Sequence, residues 1–246
     1  MLPPPLPHQV GVLREVLDFV AEIVAAGTPS PVVVFGLDGV VYDTRPRTLQ
    51  ILHEYADACE GEAPDVAEAL RALEVSRVHR YLTDTLAECQ IYRGDLIHAV
   101  TTFWHERFHA DEYVGFDQPN PGAVGYVRAC HEQGATVVYL SRRDVPGMLL
   151  GTMACLRDHG FPVAVPGVEL ALKPDATFGD ESFKRTVIPQ LSRPGPILAF
   201  FDNDLMCCEL ARDAFPQARI AYVDAWQIDA VEPEERIEVV RDFRLG

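Results

Sequence analysis

Residues 32–43 read VVVFGLDGVVYD. The run from Val32 to Phe35 is apolar and rich in β-branched side chains, which predicts a buried strand of a parallel sheet. A Gly-Leu-Asp-Gly turn follows it, and a second apolar pair leads to Asp43. Open α/β sheets bind their ligands beyond the carboxyl ends of the strands. Asp38 therefore falls where the chemistry of such a sheet is expected.

The rest of the chain alternates between strand and helix patterns from residue 120 onward. Strands are predicted at 136–140, 168–172, 197–201 and 219–223, with a further edge element in the acidic tail through Ile237, Val239 and Val240. Helices are predicted at 8–26, 121–133, 146–159, 181–191, with Asp180 as an N-cap, and 207–215. Such alternation predicts an α/β fold with a doubly wound parallel sheet.

Residues 47–113 lack a strand pattern. Helical pieces at 48–59, 64–75, 77–90 and 94–109 are separated by glycine and proline. This interval predicts either a small all-helical insert or an ordinary helical excursion of the core. We expect the insert, which divides the chain into a core of residues 1–46 and 114–246 and a helical segment of residues 47–113.

The ends of the predicted strands resemble the motifs of the haloacid dehalogenase (HAD) superfamily. Its first motif is Asp-x-Asp-Gly after an apolar strand, and here Asp38 matches the second aspartate while Gly36 stands at the first. Ser141 is similar to the Ser or Thr of the second motif. Lys184 is similar to the lysine of the third, with Lys173 as the other candidate. Asp202 is similar to the acid of the fourth.

The resemblance implies a HAD-like, Rossmann-like core, with residues 47–113 as the cap that one branch inserts after its first motif. It also implies Mg²⁺-assisted hydrolysis of a small phosphate monoester. In that scheme Lys184, Ser141 and Arg142 bind phosphate. Arg142 and Arg143 follow Ser141 directly, and each could reach the substrate anion or pair with surface acids instead. The metal would be held by Asp38, Asp202 and Asp204. Asp204 has an alternative interpretation as the cap of the following helix, and Asp43 is expected to be a turn or N-cap residue.

Gly36 departs from the first motif of the family, and this departure determines how much of the implied activity the chain can have. The family's first aspartate attacks phosphorus, and glycine has no side chain with which to do so. Asp38 could still serve as general acid and base. The chain could be a pseudoenzyme that binds a phosphorylated ligand, an enzyme in which Asp38 activates water, or a phosphatase inactivated by substitution. Gly36 could also serve only the backbone turn.

A second motif offers a different class of function. Residues 105–109 read HERFH, which matches the letters of a zinc-peptidase helix with Glu106 as base. Arg107 would oppose a metal, and no clear third ligand follows. We therefore expect His105 and His109 to lie on a solvated face at the end of a helix.

Composition limits the partners and the compartment. The formal net charge of -16 argues against a nucleic-acid backbone or an anionic membrane surface. The proline-rich start lacks the pattern of a signal peptide, and no apolar run is long enough to span a membrane. The six cysteines form no Cys-x-x-Cys pair and are expected to be reduced. The sequence thus predicts a cytoplasmic protein whose partner is a small phosphorylated metabolite, with Mg²⁺ binding weakened by Gly36.

Overall fold

The computed structural model describes residues 4–226 and 235–246. Within these residues the chain forms two compact units. One contains the residues up to Asp43, Pro119–Pro146 and those from Leu156 onward, and the other contains Thr44–Gln118 and Gly147–Cys155. The predicted boundaries of the helical segment remain predictions. No helix in the described part of the chain is long and apolar enough to cross a bilayer.

Eight strands lie in the described residues. They are β1 (Val32–Gly36), β2 (Tyr42–Asp43), β3 (Gln118–Pro119), β4 (Thr136–Asp144), β5 (Val168–Lys173), β6 (Ile197–Asp202), β7 (Arg219–Val223) and β8 (Ile237–Val240). β2 and β3 form a two-stranded sheet, and the other strands form one sheet in the order β5-β4-β1-β6-β7-β8. Every neighbouring pair in the larger sheet is parallel.

Ten α-helices accompany these strands in the described residues. They are α1 (Gln9–Ala25), α2 (Arg45–Cys59), α3 (Pro64–Arg71), α4 (Leu82–Glu88), α5 (Gly94–Phe108), α6 (Asp111–Val114), α7 (Ala123–Glu132), α8 (Val145–Asp158), α9 (Asp180–Val187) and α10 (Leu205–Ala214). Short 3₁₀ turns occupy Val75–Arg77 and Ile188–Gln190.

The order of the large sheet confirms the predicted doubly wound topology. β1 is the first strand of the large sheet. β4 and β5 follow on one side of it, and β6, β7 and β8 follow on the other. The strand order therefore reverses at β1, and ligands of open α/β sheets bind at such a switch point. β8 also confirms the predicted edge element, of which residues 231–234 lie outside the described part.

The core of the α/β unit covers both faces of β1, because successive strand residues point to opposite faces. Phe35 stacks on Phe201 with ring centroids 5.2 Å apart, and Tyr126 and Phe243 pack edge-on against the same rings. Val32 and Val34 face the other way, into a cluster with residues of β4, β6, α9 and α10. Burial on both faces explains why β1 reads as a continuous apolar run.

The helical unit has its own apolar core. Leu52 and Ala56 of α2 pack against Leu70 of α3 and Val100 of α5, and all four side chains are buried.

The same unit holds a fully buried ion pair. Arg47 donates to both carboxylate oxygens of Asp117, at 2.8 and 2.6 Å, and both side chains are inaccessible to solvent. Its guanidinium also lies 4.2 Å from the ring centroid of Phe108 and donates to the backbone carbonyl of that residue. The desolvated charge is therefore satisfied inside the unit.

Several local predictions were wrong. Asp43 is the last residue of β2 and Thr44 occupies the N-cap of α2, and the helix predicted over 64–75 ends at Arg71.

The other corrections concern α9, α4 and β4. Asp180 is the first residue of α9 and Gly179 occupies the N-cap, with no side-chain cap. The helix predicted over 77–90 begins only at Leu82, because the backbone N–H of His79 donates to the hydroxyl of Thr85 while Val78 is extended. β4 continues through Ser141 to Asp144 rather than ending at Leu140. Its pairing with β5 is irregular between Leu140 and Asp144.

Candidate functional site

The turn after β1 is fixed by its glycine at position 39. Gly39 has a φ of +74°, and its N–H donates to the carbonyl of Tyr42 at 2.7 Å. A Cβ at this position would lie 2.0 Å from Nδ2 of Asn203. Both the left-handed backbone and the close approach of Asn203 require glycine here. The turn holds Asp38 at the carboxyl end of β1.

Asp38 is held by β4. Nε of Arg143 lies 3.2 and 3.1 Å from Oδ1 and Oδ2 of Asp38, and Nη2 donates to Oδ1 at 2.8 Å. The hydroxyl of Ser141 donates to Oδ2 at 3.0 Å. Arg143 is 2% exposed at its side chain and Asp38 28%. Both carboxylate oxygens thus receive hydrogen bonds from a buried cation, a charge-assisted arrangement.

A second ion pair lies at the end of β6. Nζ of Lys184, on α9, donates to Oδ2 of Asp202 at 3.0 Å, and the two side chains are 6% and 3% exposed. Oδ1 of Asp202 accepts the backbone N–H of Asp204 at 3.0 Å. Burial alone would lower the pKa of Lys184, but the interactions of its ammonium with Asp202 and Cys207 together outweigh burial and raise the pKa above its usual value. The ammonium is therefore charged at neutral pH.

Gly36 lies beside this second pair. A Cβ built on Gly36 would be 2.8 Å from Cγ2 of Val40 and 3.1 Å from Oδ2 of Asp202. The first of these distances is shorter than any van der Waals contact and the second is tight. The space in which a side chain at position 36 would begin is thus taken by Val40 and by the carboxylate that binds Lys184.

The structure brings four predicted site residues into two pairs on one unit. Ser141 meets Asp38, and Lys184 meets Asp202. Of the two lysines that the sequence left open, Lys184 is the one that contacts Asp202.

The other candidates lie elsewhere. Nζ of Lys173 donates to Asp180 at 2.7 Å, and Arg142 is half-exposed and 3.5 Å from the same carboxylate. Asp204 caps α10, accepting the N–H of Met206 at 3.1 Å, which is the alternative that the sequence allowed. The assignment of Ser141, Lys184 and Arg142 to phosphate, and of Asp38, Asp202 and Asp204 to a metal, stays a prediction.

Arg143 is the site residue whose importance the motifs did not predict, because no motif position corresponds to it. Residues two apart on a strand point to the same face. Because β4 continues through 144, Ser141 and Arg143 share a face and both reach Asp38, while Arg142 points away. The Ser-x-Arg spacing would have indicated that the two side chains share a face. It did not do so here, because the strand was expected to end at Leu140.

No three His, Cys, Asp or Glu side chains in residues 4–226 and 235–246 are grouped so as to hold an ion. His105 and His109 contact each other edge-on, with ring centroids 4.8 Å apart, and His109 also packs against Trp104 and Phe108. The HERFH motif therefore contributes an aromatic cluster at the end of α5.

Solved structures show which fold this is. A candidate phosphatase from Clostridium difficile aligns with 86% of this chain and 94% of its own, with a TM-score of 0.54 and 12% identity. A candidate haloacid dehalogenase-like hydrolase from Bacteroides fragilis aligns with 85% of this chain and 96% of its own, with a TM-score of 0.50 and 13% identity. No family model and no curated protein matches the sequence. The chain has the fold of the haloacid dehalogenase-like hydrolases, and the resemblance is confirmed at that level.

Proposed function

We propose that this chain is a pseudophosphatase: it binds a phosphorylated small molecule at the ends of β1, β4 and β6 and does not hydrolyse it by the covalent route. The observation that carries the proposal is the filled space at Gly36. The position that supplies the attacking carboxylate in the motif has no side chain, and Val40 and Asp202 occupy the room in which one would begin. Covalent catalysis needs a nucleophile in line with phosphorus.

The engagement of Asp38 supports the same proposal. A general acid must present an oxygen to the leaving group within hydrogen-bond reach. Both oxygens of Asp38 instead accept from Arg143, and one also accepts from Ser141. Arg143, Lys184 and the Ser141 hydroxyl are the groups that a phosphate oxyanion would approach. The weakened Mg²⁺ binding expected from the sequence belongs to this proposal, because Gly36 supplies no carboxylate.

The competing function is a phosphohydrolase of altered chemistry in which Asp38 activates water directly. The ammonium of Lys184 at the end of β6 is what would favour it, because an oxyanion at the strand ends would face a cation.

A phosphate-release assay on a panel of phosphate monoesters, with Mg²⁺ present, separates the two. We expect binding of at least one monoester, seen as a rise in thermal stability, without release of phosphate. Release by the unmodified chain that is lost in Asp38→Asn would contradict the proposal.

A second arm asks whether the nucleophile alone is missing. Gly36→Asp is expected to stay inactive, since its side chain collides with Val40, and Gly36→Asp/Val40→Ala relieves the collision. Gly61→Asp is the matched control, because a side chain at that glycine meets open space. Hydrolysis restored by the double variant would identify an intact site lacking only its attacking group.

The remaining parts of the proposal concern context. We propose that residues 47–113 are the cap segment that the resemblance implies. All six cysteines are free, which supports a reducing compartment, and we propose the cytoplasm.

A further inference from the structure

We infer that two side chains of this protein, Arg143 and Lys184, supply the positive charge that a divalent metal would bring, so that the site at the strand ends works without Mg²⁺. This inference rests on the proposed function, because it concerns the same site and the same class of ligand.

The carboxylates of Asp38 and Asp202 are each already paired with a cation. Asp38 and Asp202 contribute two negative charges, and Arg143 and Lys184 contribute two positive charges at contact distance. Three of these side chains are nearly inaccessible to solvent, so screening by water and salt is weak. A divalent cation added here would be repelled by two buried cations, and this repulsion offsets the attraction of the two carboxylates.

The oxygens that a magnesium ion would need are also engaged. Mg²⁺ demands near-octahedral coordination by oxygen and relies on one or two carboxylates to hold it. Oδ2 of Asp202 receives Lys184 and Oδ1 receives the N–H of Asp204, while Asp204 itself caps α10. Asp38 is held on both oxygens by Arg143, and Gly36 offers no carboxylate. The residues present do not fit a magnesium site.

The ion pair between Asp38 and Arg143 has a consequence for ligand binding. A phosphate oxyanion that reaches this site finds no metal and must take hydrogen bonds from Arg143 that Asp38 now receives. The aspartate therefore acts as an internal competitor of the anion. Removing its charge should strengthen phosphate binding, whereas in a metal-dependent site loss of the same carboxylate would weaken it.

Two measurements on the full chain test this inference. Binding of Mn²⁺, as a probe for Mg²⁺, is followed by electron paramagnetic resonance, and binding of phenyl phosphate by calorimetry, in EDTA and in Mg²⁺. We expect no stoichiometric Mn²⁺ binding and the same phosphate affinity in both buffers. In Asp38→Asn the affinity for phenyl phosphate should rise roughly tenfold, the scale of one charge-assisted hydrogen bond. Asp158→Asn is the control, since that aspartate pairs with Arg157 at an exposed position.

The outcomes separate this inference from the proposed function. Stoichiometric Mn²⁺ binding that Asp202→Asn abolishes overturns the inference, as does phosphate binding that requires Mg²⁺ or weakens in Asp38→Asn. A chain that binds neither Mn²⁺ nor any phosphate ester contradicts the proposed ligand class but supports metal independence. The Mn²⁺ measurement uses the unmodified protein, so it decides the matter even if Asp38→Asn does not fold.

Discussion

Replacing Lys184 with methionine is the sharpest test of the pairing at the end of β6. Methionine keeps much of the side-chain volume but removes the ammonium, so Asp202 keeps a charge that is 3% exposed and has lost its cation. Breaking a buried ion pair by removing one partner costs about 3–5 kcal/mol. The N–H of Asp204 still donates to Oδ1, which places the expected loss near the lower end, about 3 kcal/mol.

Urea unfolding followed by circular dichroism measures this loss, and thermal unfolding should show a decrease in Tm of roughly 6–12 °C. The matched control is Arg185→Met on the same helix. Arg185 pairs with Glu181 at 2.9 Å, but both side chains are more than half exposed, so the change should cost no more than about 0.5 kcal/mol. If Lys184→Met is no more destabilising than Arg185→Met, the pair is not desolvated and the argument fails.

The double variant Lys184→Met/Asp202→Asn separates charge from packing. An asparagine oxygen can still accept the N–H of Asp204, and no buried charge remains. We expect the double variant to be more stable than Lys184→Met alone, since removing both charges of a buried pair is often neutral. The contribution of the pair should be constant up to about pH 10, where an unfolded lysine begins to lose its proton, and should fall as pH rises through the raised pKa of Lys184.

Three further predictions concern other parts of the molecule. Arg47→Met should destabilise the helical unit by about 3–5 kcal/mol in urea unfolding, because it removes the buried cation that pairs with the Asp117 carboxylate, and a loss below about 1 kcal/mol would contradict the buried pair. Asn120→Ala should cost about 1–3 kcal/mol, because its Nδ2 donates to the carbonyl of Val40 at 2.7 Å; unchanged stability would mean that water replaces the amide. Burial raises the pKa of Cys130 to about 12, whereas the unfolded thiol ionises near 8.5, so stability should fall as pH rises from about 8.5 toward 12. Alkylation followed by mass spectrometry should find Cys130 unreactive in the native protein at pH 8 and reactive in urea, and rapid native labelling would refute its burial.

The parallel sheet was predictable because its signals are local. An apolar run such as Val32–Phe35 predicts a strand that is buried on both faces. Segments with helical periodicity between such runs predict helical crossovers between parallel strands. The structure adds that β4 runs four residues further than the pattern suggested. The sequence did not predict this extension, because Ser-Arg-Arg-Asp is polar and resembles a loop. Whether these residues form a strand depends on their pairing with the neighbouring strand, β5.

The candidate site was predictable only in part. The polar residues at the strand ends, Asp38, Ser141 and Asp202, were visible because the topology collects carboxyl ends at one edge of a sheet. The partner of each was not visible. The choice between Lys173, at the end of β5, and Lys184, on α9, depends on which of them reaches Asp202 at the end of β6. The choice between Arg142 and Arg143 depends on which residues of β4 share a face.

By itself, the sequence determined that this protein has a doubly wound parallel sheet, because side-chain periodicity is a local signal. It also predicted, through its resemblance to the first HAD motif, that Gly36 stands where that motif has its first aspartate. Only the tertiary structure decided that Asp38 is paired with Arg143, that Asp202 is paired with Lys184, and that Val40 fills the space beside Gly36. The physical reason is that an ion pair depends on which segments the register of the sheet brings within hydrogen-bond distance. Residues 38 and 143 are 105 positions apart in the chain, and no local pattern encodes that meeting.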